Sequence, residues 1–334
     1  LLDLLNWLGS RQFAGGIVLA EQHRPLQVPR IEPLAAGHRL RVPLHCPAGA
    51  STEPVVRPGQ SVEALGLLSR SSGAALCTYA PAAGTVTAIG RVPTTSGRTC
   101  LAVELATSQD QPAPDETPRR PPQEPADSAG WAALCDRFSL INTIDGEPLS
   151  RVFRQAAGTP IKHLIIRAIG TEPLETIAPA ILLEQGTSLI EAAQRLAHAL
   201  GAGKTWIALT KNFRQGQRLL SRIARRSGVR PIVLPDRYPQ ANVHLLVRSV
   251  CGCVVPIGQK PEPHGVCVVG AATLAALADA TLYALPCTSC LLTVAGDALA
   301  RPADYRLPAG MMVGELLERV GTTKPTGVVI AGGP

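Results

Sequence analysis

Aromatic residues are scarce, at 3% of 334 residues, with four Phe, four Tyr and three Trp, and there are only two Met. With so few rings to stack on bases, the chain is a poor candidate for nucleic-acid binding, although 32 basic against 25 acidic residues give a net charge of +7. Long apolar runs are also missing. The best stretch, Ala271 to Leu285, is shorter than the roughly 18 residues a membrane span needs and carries Asp279, so it reads as a buried helix. No basic-then-apolar leader with a small-residue cleavage site opens the chain, which starts at Leu1 and stops at Gly332-Gly333-Pro334. These ends read as those of a piece of a longer product. Nine cysteines, an odd number, then read as reduced thiols of a cytoplasmic protein, most of them small buried apolar residues.

What is plentiful is glycine (31) and proline (30), on a background of 46% apolar and 17% charged residues. That balance is globular, and the length allows two or three domains each with its own core. The turn-formers argue against an all-helical bundle and for short strands with small aliphatic cores. The expected fold is a multidomain α/β protein.

The Pro-rich stretch 108–128 (SQDQPAPDETPRRPPQEPADS) cannot sustain a helix or a ladder and reads as a linker. Ahead of it, strands are expected over Leu40–Leu44, Thr52–Val56, Val62–Ser69, Ala75–Tyr79, Thr85–Ile89 and Cys100–Leu105. Turns at Arg57-Pro58-Gly59-Gln60 and Pro81-Ala82-Ala83-Gly84 break them into near-symmetric halves, the pattern of a small barrel-sandwich β domain. After the linker, strands at Leu164–Arg167, Thr205–Thr210, Pro231–Leu234 and Val266–Val269 alternate with helices at Ser188–Leu200, Gln215–Ser227, Asn242–Val250 and Thr273–Tyr283. Such alternation builds βαβ units on a parallel sheet. The final stretch reads as a β-grasp unit: strands Leu291–Ala295, Tyr305–Leu307 and Gly327–Ile330 around a helix Val313–Val320. The resulting map is an N-terminal arm 1–28, a barrel-sandwich domain 29–107, the linker 108–128, an α/β domain 129–286 and a β-grasp domain 287–334.

Three groups of strings, in order along nearly the whole chain, carry a resemblance. The first is Phe13-Ala14-Gly15-Gly16-Ile17 with STEPVVRPGQSVEALGLLSR at 51–70 and YAPAAGTVTAI at 79–89. The second is Thr171-Glu172-Pro173-Leu174, Asp236-Arg237-Tyr238-Pro239-Gln240 and Val255-Pro256. The third is LLTVAGDALARPADYRLPAG at 291–310 with Ile330-Ala331-Gly332-Gly333-Pro334. Together they resemble the RnfC family of the Rnf-type ion-translocating electron-transport complex. More distantly, the chain is similar to the A component of the sodium-pumping NADH:quinone reductase.

The resemblance implies a biotinyl/lipoyl-like barrel sandwich, a Rossmann-like α/β domain that takes flavin mononucleotide (FMN) and NADH, and an SLBB-type β-grasp domain. A covalent biotin or lipoate is ruled out in the first, because a swinging arm needs a lysine at the hairpin tip and the first lysine is Lys162. The cofactor positions that carry over are Gly170, Glu172 and Gln240. The expected glycine-rich phosphate loop falls between Ile141 and Pro160, where only Gly146 and Gly158 occur. Further departures are Ala241 and Val243 after Tyr-Pro-Gln, the strand end Val269-Gly270-Ala271, and Gly170-Thr171-Glu172-Pro173 in place of Glu-Cys-Glu-Pro. The expectation is therefore a degenerate FMN/NADH pocket in a docking or scaffold subunit, peripheral to the membrane on its cytoplasmic side and partnered by other redox subunits. Two alternatives stay open: an active NADH-oxidising flavoprotein, and a free-standing ligand-binding module acting through the β-grasp domain. Relatives carry [4Fe–4S] cysteine runs after the Gly-Gly-Pro string, so any cluster belongs beyond Pro334.

Weaker signals have bland readings beside sharp ones. Cys287-Thr288-Ser289-Cys290 with Cys251-Gly252-Cys253 reads as structural thiols, with a four-thiolate metal site or a redox pair as alternatives. Gly201-Ala202-Gly203-Lys204-Thr205 mimics a Walker A ending but follows a helix and opens a strand, so it reads as a helix C-cap turn. Arg214, Arg218, Arg222, Arg225, Arg226 and Arg230 read as a solvated helix face, or as a surface for an acidic membrane or partner. Seven histidines show no ligand spacing.

Overall fold

The computed structural model describes residues 15–19, 30–44, 52–71, 76–93, 99–107, 121–156, 158–325 and 327–332. Phe13, Ala14, Cys46 and linker residues 108–120 lie outside the described residues, as does most of the expected arm. The chain divides into two compact units.

One unit comprises Pro29–Arg151 and Ala276–Gly332. Its strands are β1 (Ile31–Pro33), β2 (Arg39–Pro43), β3 (Thr52–Pro54), β4 (Ser61–Val62), β5 (Leu67–Ser71), β6 (Thr78–Tyr79), β7 (Gly84–Pro93) and β8 (Thr99–Thr107). Two sheets, ordered β2-β8-β7-β4 and β3-β5-β6, enclose a core of Leu40, Val42, Leu44, Val56, Leu68, Val86, Val103 and Leu105, closed by Ala80 and Ala82. No aromatic residue takes part in this cluster, which is how a ring-poor chain fills a small sandwich.

The single strand expected over Val62–Ser69 is two, β4 in one sheet and β5 in the other. Between them the Glu63–Gly66 turn, closed by the Gly66 amide on the Glu63 carbonyl (3.0 Å), carries the chain across. The two turn glycines serve different ends. Gly59 has φ +85, whereas a Cβ on Gly84 would lie 2.4 Å from the Ala106 carbonyl oxygen, so Gly84 permits close pairing of β7 with β8.

After residues 121–127, which hold no helix or strand, Asp127 caps α1 (Ser128–Arg137) by accepting from the Gly130 amide at 2.7 Å. Then come β9 (Ile141–Asn142), β10 (Glu147–Pro148) and α2 (Ser150–Ala156).

The other unit, with Val152–Ala275, holds a parallel sheet of β11 (His163–Arg167), β12 (Lys204–Thr210), β13 (Val229–Leu234) and β14 (Val266–Gly270). Their order is β13-β12-β11-β14, the 3-2-1-4 order of doubly wound nucleotide-binding sheets. The connecting helices are α3 (Ile177–Ala199), α4 (Arg214–Ile223) and α5 (Val243–Cys251), and α6 (Ala271–Tyr283) follows β14 directly. β14 is buried at every position and β11 at its three central ones, as expected of strands covered on both faces. Helix α3 begins eleven residues before the expected Ser188, running through a non-helical Gln185. A Cβ on Gly186 would meet Leu219 and Ile223 of α4 at 2.9 and 3.0 Å, so the glycine lets the two helices approach. Gly201, at φ +60, closes α3, and Lys204 opens β12, which fits the C-cap turn.

In the first unit again, β15 (Ser289–Val294) and β16 (Ala303–Pro308) pair antiparallel, with α7 (Val313–Val320) matching its expected bounds. The strand expected at Gly327–Ile330 is not one. The third strand is β1, which runs parallel to β16 with Ile31 opposite Asp304.

Candidate functional site

In a 3-2-1-4 sheet the connections leave the first and fourth strands in opposite directions, opening a crevice beyond their carboxyl ends. Here those ends are Arg167 and Gly270. The β11–α3 connection at this edge is wound around Glu175, whose Oε2 accepts from the Thr171 amide (2.7 Å), the Thr171 hydroxyl (2.6 Å) and the Glu172 amide (3.3 Å). Leu174 sits at φ +69 to let the chain turn back. Gly170 is required by the same turn, since a Cβ would lie 2.5 Å from the Glu175 carbonyl oxygen.

The loop thereby gathers one cation and two carboxylates. Burial holds the Arg167 guanidinium below its usual range, against the pull of Glu175 and Glu172. Burial raises the Glu172 carboxyl, Glu175 adds to the rise, and Arg167 opposes it. Glu172 Oε2 is buried with no hydrogen-bond partner among the described residues, so this carboxyl can accept from a ligand hydroxyl or amide, or hold a proton.

A raised carboxyl makes the folded state bind its proton more tightly than the unfolded one. Its contribution is therefore favourable below the ordinary value of 4.5 and is lost as pH rises through the folded value. Glu172→Gln should accordingly melt higher than the wild type at pH 7.5, and the gap should close toward pH 4. Thermal melts across that range check this, and a wild type that gains on the variant as pH rises would contradict it.

Gln240 lies in the β13–α5 connection, after the cis Tyr238–Pro239 bond, and is 1% exposed. Its Nε2 donates to Ser249 Oγ of α5 (3.1 Å), while its Oε1 is buried without a partner among the described residues. Two of the family-like strings meet at this loop. Ile17 and Tyr238 exchange both backbone hydrogen bonds at 2.9 Å, so the Gly15-Gly16-Ile17 segment is laid along the Tyr-Pro-Gln turn.

Residues 141–149, the first part of the stretch expected to cradle phosphate, form a hairpin leading into α2. The Gly146 and Asp145 amides donate to the Asn142 carbonyl (2.8 and 3.4 Å), the Ile144 amide to Asn142 Oδ1 (3.3 Å) and the Glu147 amide to Asp145 Oδ1 (3.2 Å). The Leu149 amide bonds the Leu140 carbonyl at 2.9 Å, and Arg151 pairs with Asp145 at 2.7 Å. These donors are spent on the chain's own oxygens.

The eight described cysteines are thiols. No group of three or more His, Cys, Asp or Glu side chains is placed to hold a metal ion among the described residues. Cys287 is an exposed residue, yet the packing around its thiol, then Cys290 and Asp279, pushes it up to about 12. Cys290 is raised too. Such thiols are poor nucleophiles at neutral pH.

Residues 11–110 match the RnfC barrel sandwich hybrid domain and residues 145–279 the Nuo51 FMN-binding domain. The RnfC subunit of the ion-translocating oxidoreductase complex from Klebsiella pneumoniae is 28% identical over 96% of this chain and 43% of its own length. Its counterpart from Pseudomonas aeruginosa is 27% identical over 96% and 42%. The chain is a homologue of these RnfC proteins. It spans less than half the length of the curated relatives it matches.

Two crystal structures of NAD+-reducing [NiFe]-hydrogenase, H2-reduced and air-oxidised, share 19% identity with this RnfC-like chain. Their TM-scores are 0.51 and 0.52, over 59% and 63% of the chain and 39% and 41% of the hydrogenase chains, a likeness of fold. The expected barrel sandwich and a mixed α/β core are thus both present. No helix among the described residues is long and apolar enough to cross a membrane. Glu175 and Arg167 escaped the sequence reading. The one available signal was a charged residue ending the strand His163–Arg167, at the carboxyl end of β11.

Proposed function

We propose that this RnfC-like chain docks within a membrane redox complex as a peripheral subunit on the cytoplasmic side, with an FMN/NADH pocket that has lost its phosphate cradle. The observation that carries the reading is the hairpin at 141–149. A dinucleotide or flavin phosphate needs several backbone amides aimed at it, and those of Ile144, Asp145, Gly146, Glu147 and Leu149 are already bonded within the chain. The residues present do not fit the phosphate. On this reading the boundaries are an arm to residue 28, a barrel sandwich to 107, a linker to 128, a Rossmann-like domain to 286 and an SLBB-type β-grasp domain beyond. Partners are other redox subunits, not nucleic acid, and any [4Fe–4S] cluster is carried past Pro334.

A second reading, an active NADH-oxidising flavoprotein, is favoured by the crevice. There Glu172, with Gly170 shaping its loop and Gln240 at the same sheet edge, offers an unsatisfied carboxylate where such sheets bind ligands. Thermal shift separates the two. A ligand at about 100 times its dissociation constant stabilises by roughly 2.7 kcal/mol. The docking reading expects colourless protein and an unmoved melting temperature with FMN or NADH, whereas yellow protein or a raised melt establishes the second. Failure to co-purify with membrane redox subunits would remove the docking role and favour a free-standing ligand-binding module acting through the β-grasp domain.

A further inference from the structure

We propose that the outer face of α4 and the turn after it form a docking surface for an anionic lipid headgroup layer. Arg214, Arg218 and Arg222 recur every fourth residue and form one stripe about 12 Å long at 1.5 Å per residue. Arg225 and Arg226 follow in the turn after α4, and Arg230 lies on β13, the edge strand of the sheet. All six are exposed. Among the described residues none of the six has a carboxylate within ion-pair distance, and the one side-chain contact made is Arg230 over the Trp206 ring at 5.8 Å.

The opposite face fixes this presentation. Leu220 and Gly216 are buried, and Leu219 and Ile223 close on Gly186 of α3, so the helix cannot roll its arginines inward without opening that contact. Like charges four apart on a helix repel, so the stripe weakens the isolated helix and folding alone gives no reason for it.

The chemistry of the face selects the occupant. Guanidinium groups grip phosphate oxygens in pairs. Protein interfaces are anchored by aromatic and apolar side chains at a charge-poor centre. Beyond the arginines, α4 exposes only Gln215 and Ser221. Nucleic acid would want rings for stacking, and Trp206, the one ring in contact with any of these arginines among the described residues, already lies under Arg230. A flat sheet of phosphodiesters, attracted by charge alone, fits what is exposed. The inference names the surface behind the peripheral placement proposed above. Its test uses lipid alone, so it fails separately from docking to redox subunits.

The test sediments the 334-residue chain with phosphatidylcholine vesicles, with and without phosphatidylglycerol, at low and high salt. Binding is expected only to the phosphatidylglycerol vesicles, with release as salt rises. The triple variant Arg214→Gln, Arg218→Gln, Arg222→Gln should lower vesicle partitioning about 100-fold, from the loss of three surface cations. Arg57→Gln, Arg70→Gln, Arg91→Gln, also exposed, should leave it near the wild-type value. No preference for anionic vesicles, or equal loss in both triple variants, would overturn the proposal. So would capture of polyglutamate without capture of vesicles, which reassigns the face to an acidic protein. If the first variant melts early, the salt dependence of the wild type still decides.

Discussion

Tyr305→Ala is expected to destabilise the unit that carries the β15–β16 sheet by about 3–5 kcal/mol, the cost of emptying an aromatic site in a packed core. Tyr305 is fully buried on the central strand of the β1-β16-β15 sheet, packed with Ala303, Leu307, Leu316 and Val320. Its hydroxyl donates to the Arg301 carbonyl at 2.7 Å, and burial raises its pKa. With 3% aromatics in the chain, few residues supply so much volume, and the small aliphatics nearby cannot collapse into the space. Tyr305→Phe keeps the ring and loses only the hydrogen bond, about 1 kcal/mol. Urea unfolding of the two variants reads the difference, and near-equal midpoints would mean that packing is not what the ring contributes.

That sheet also marks where sequence reading stopped. α7 was legible to the residue because Val313, Leu316 and Val320 recur at helical spacing. The pairing of β1 with β16 was not legible, because Ile31–Pro33 is too short to show periodicity and its partner lies most of a chain length away. Instead the apolar Val328, Val329 and Ile330 were read as a strand, and they are exposed. In the parallel sheet β11 and β14 were readable as apolar runs, since burial on both faces removes polar alternation. The early start of α3 was not legible for the opposite reason, because Gly186 stands in its path. This glycine looks like a stop signal, yet it is held inside α3 by contact with α4, which only tertiary structure supplies.

The candidate site divides the same way. Glycine poverty between Ile141 and Pro160 was visible. The fate of the amides was not, although Asp145-Gly146 beside Asn142 is hairpin chemistry. The structure shows where those amides go: into the chain's own turn. Glu172 was singled out by the resemblance, but Glu175 taking the loop amides while a Glu172 oxygen has no partner among the described residues is something no spacing rule encodes.

Gly170→Ala is the second large effect, and it bears on what Gly170 is for. As a cofactor position, its lack of a side chain would leave room for a ligand, and adding a methyl would leave the ligand-free protein as stable as before. The geometry gives a different cause. The added Cβ falls 2.5 Å from the Glu175 carbonyl oxygen, a backbone atom that cannot swing aside as a side-chain tip would. Relieving that overlap must displace the 170–175 turn, and overpacking of this kind costs about 1–3 kcal/mol. Displacement also loosens the Glu175 bonds to Thr171 and Glu172, at 2.7 and 3.3 Å to their amides, and with them the placement of Glu172 beside Arg167. The expected result is a lower melting temperature without any ligand, together with a smaller stability gain from Glu172→Gln at pH 7.5 in the Gly170→Ala background. An unchanged ligand-free melt would return Gly170 to the role of a ligand-facing residue and strengthen the flavoprotein reading.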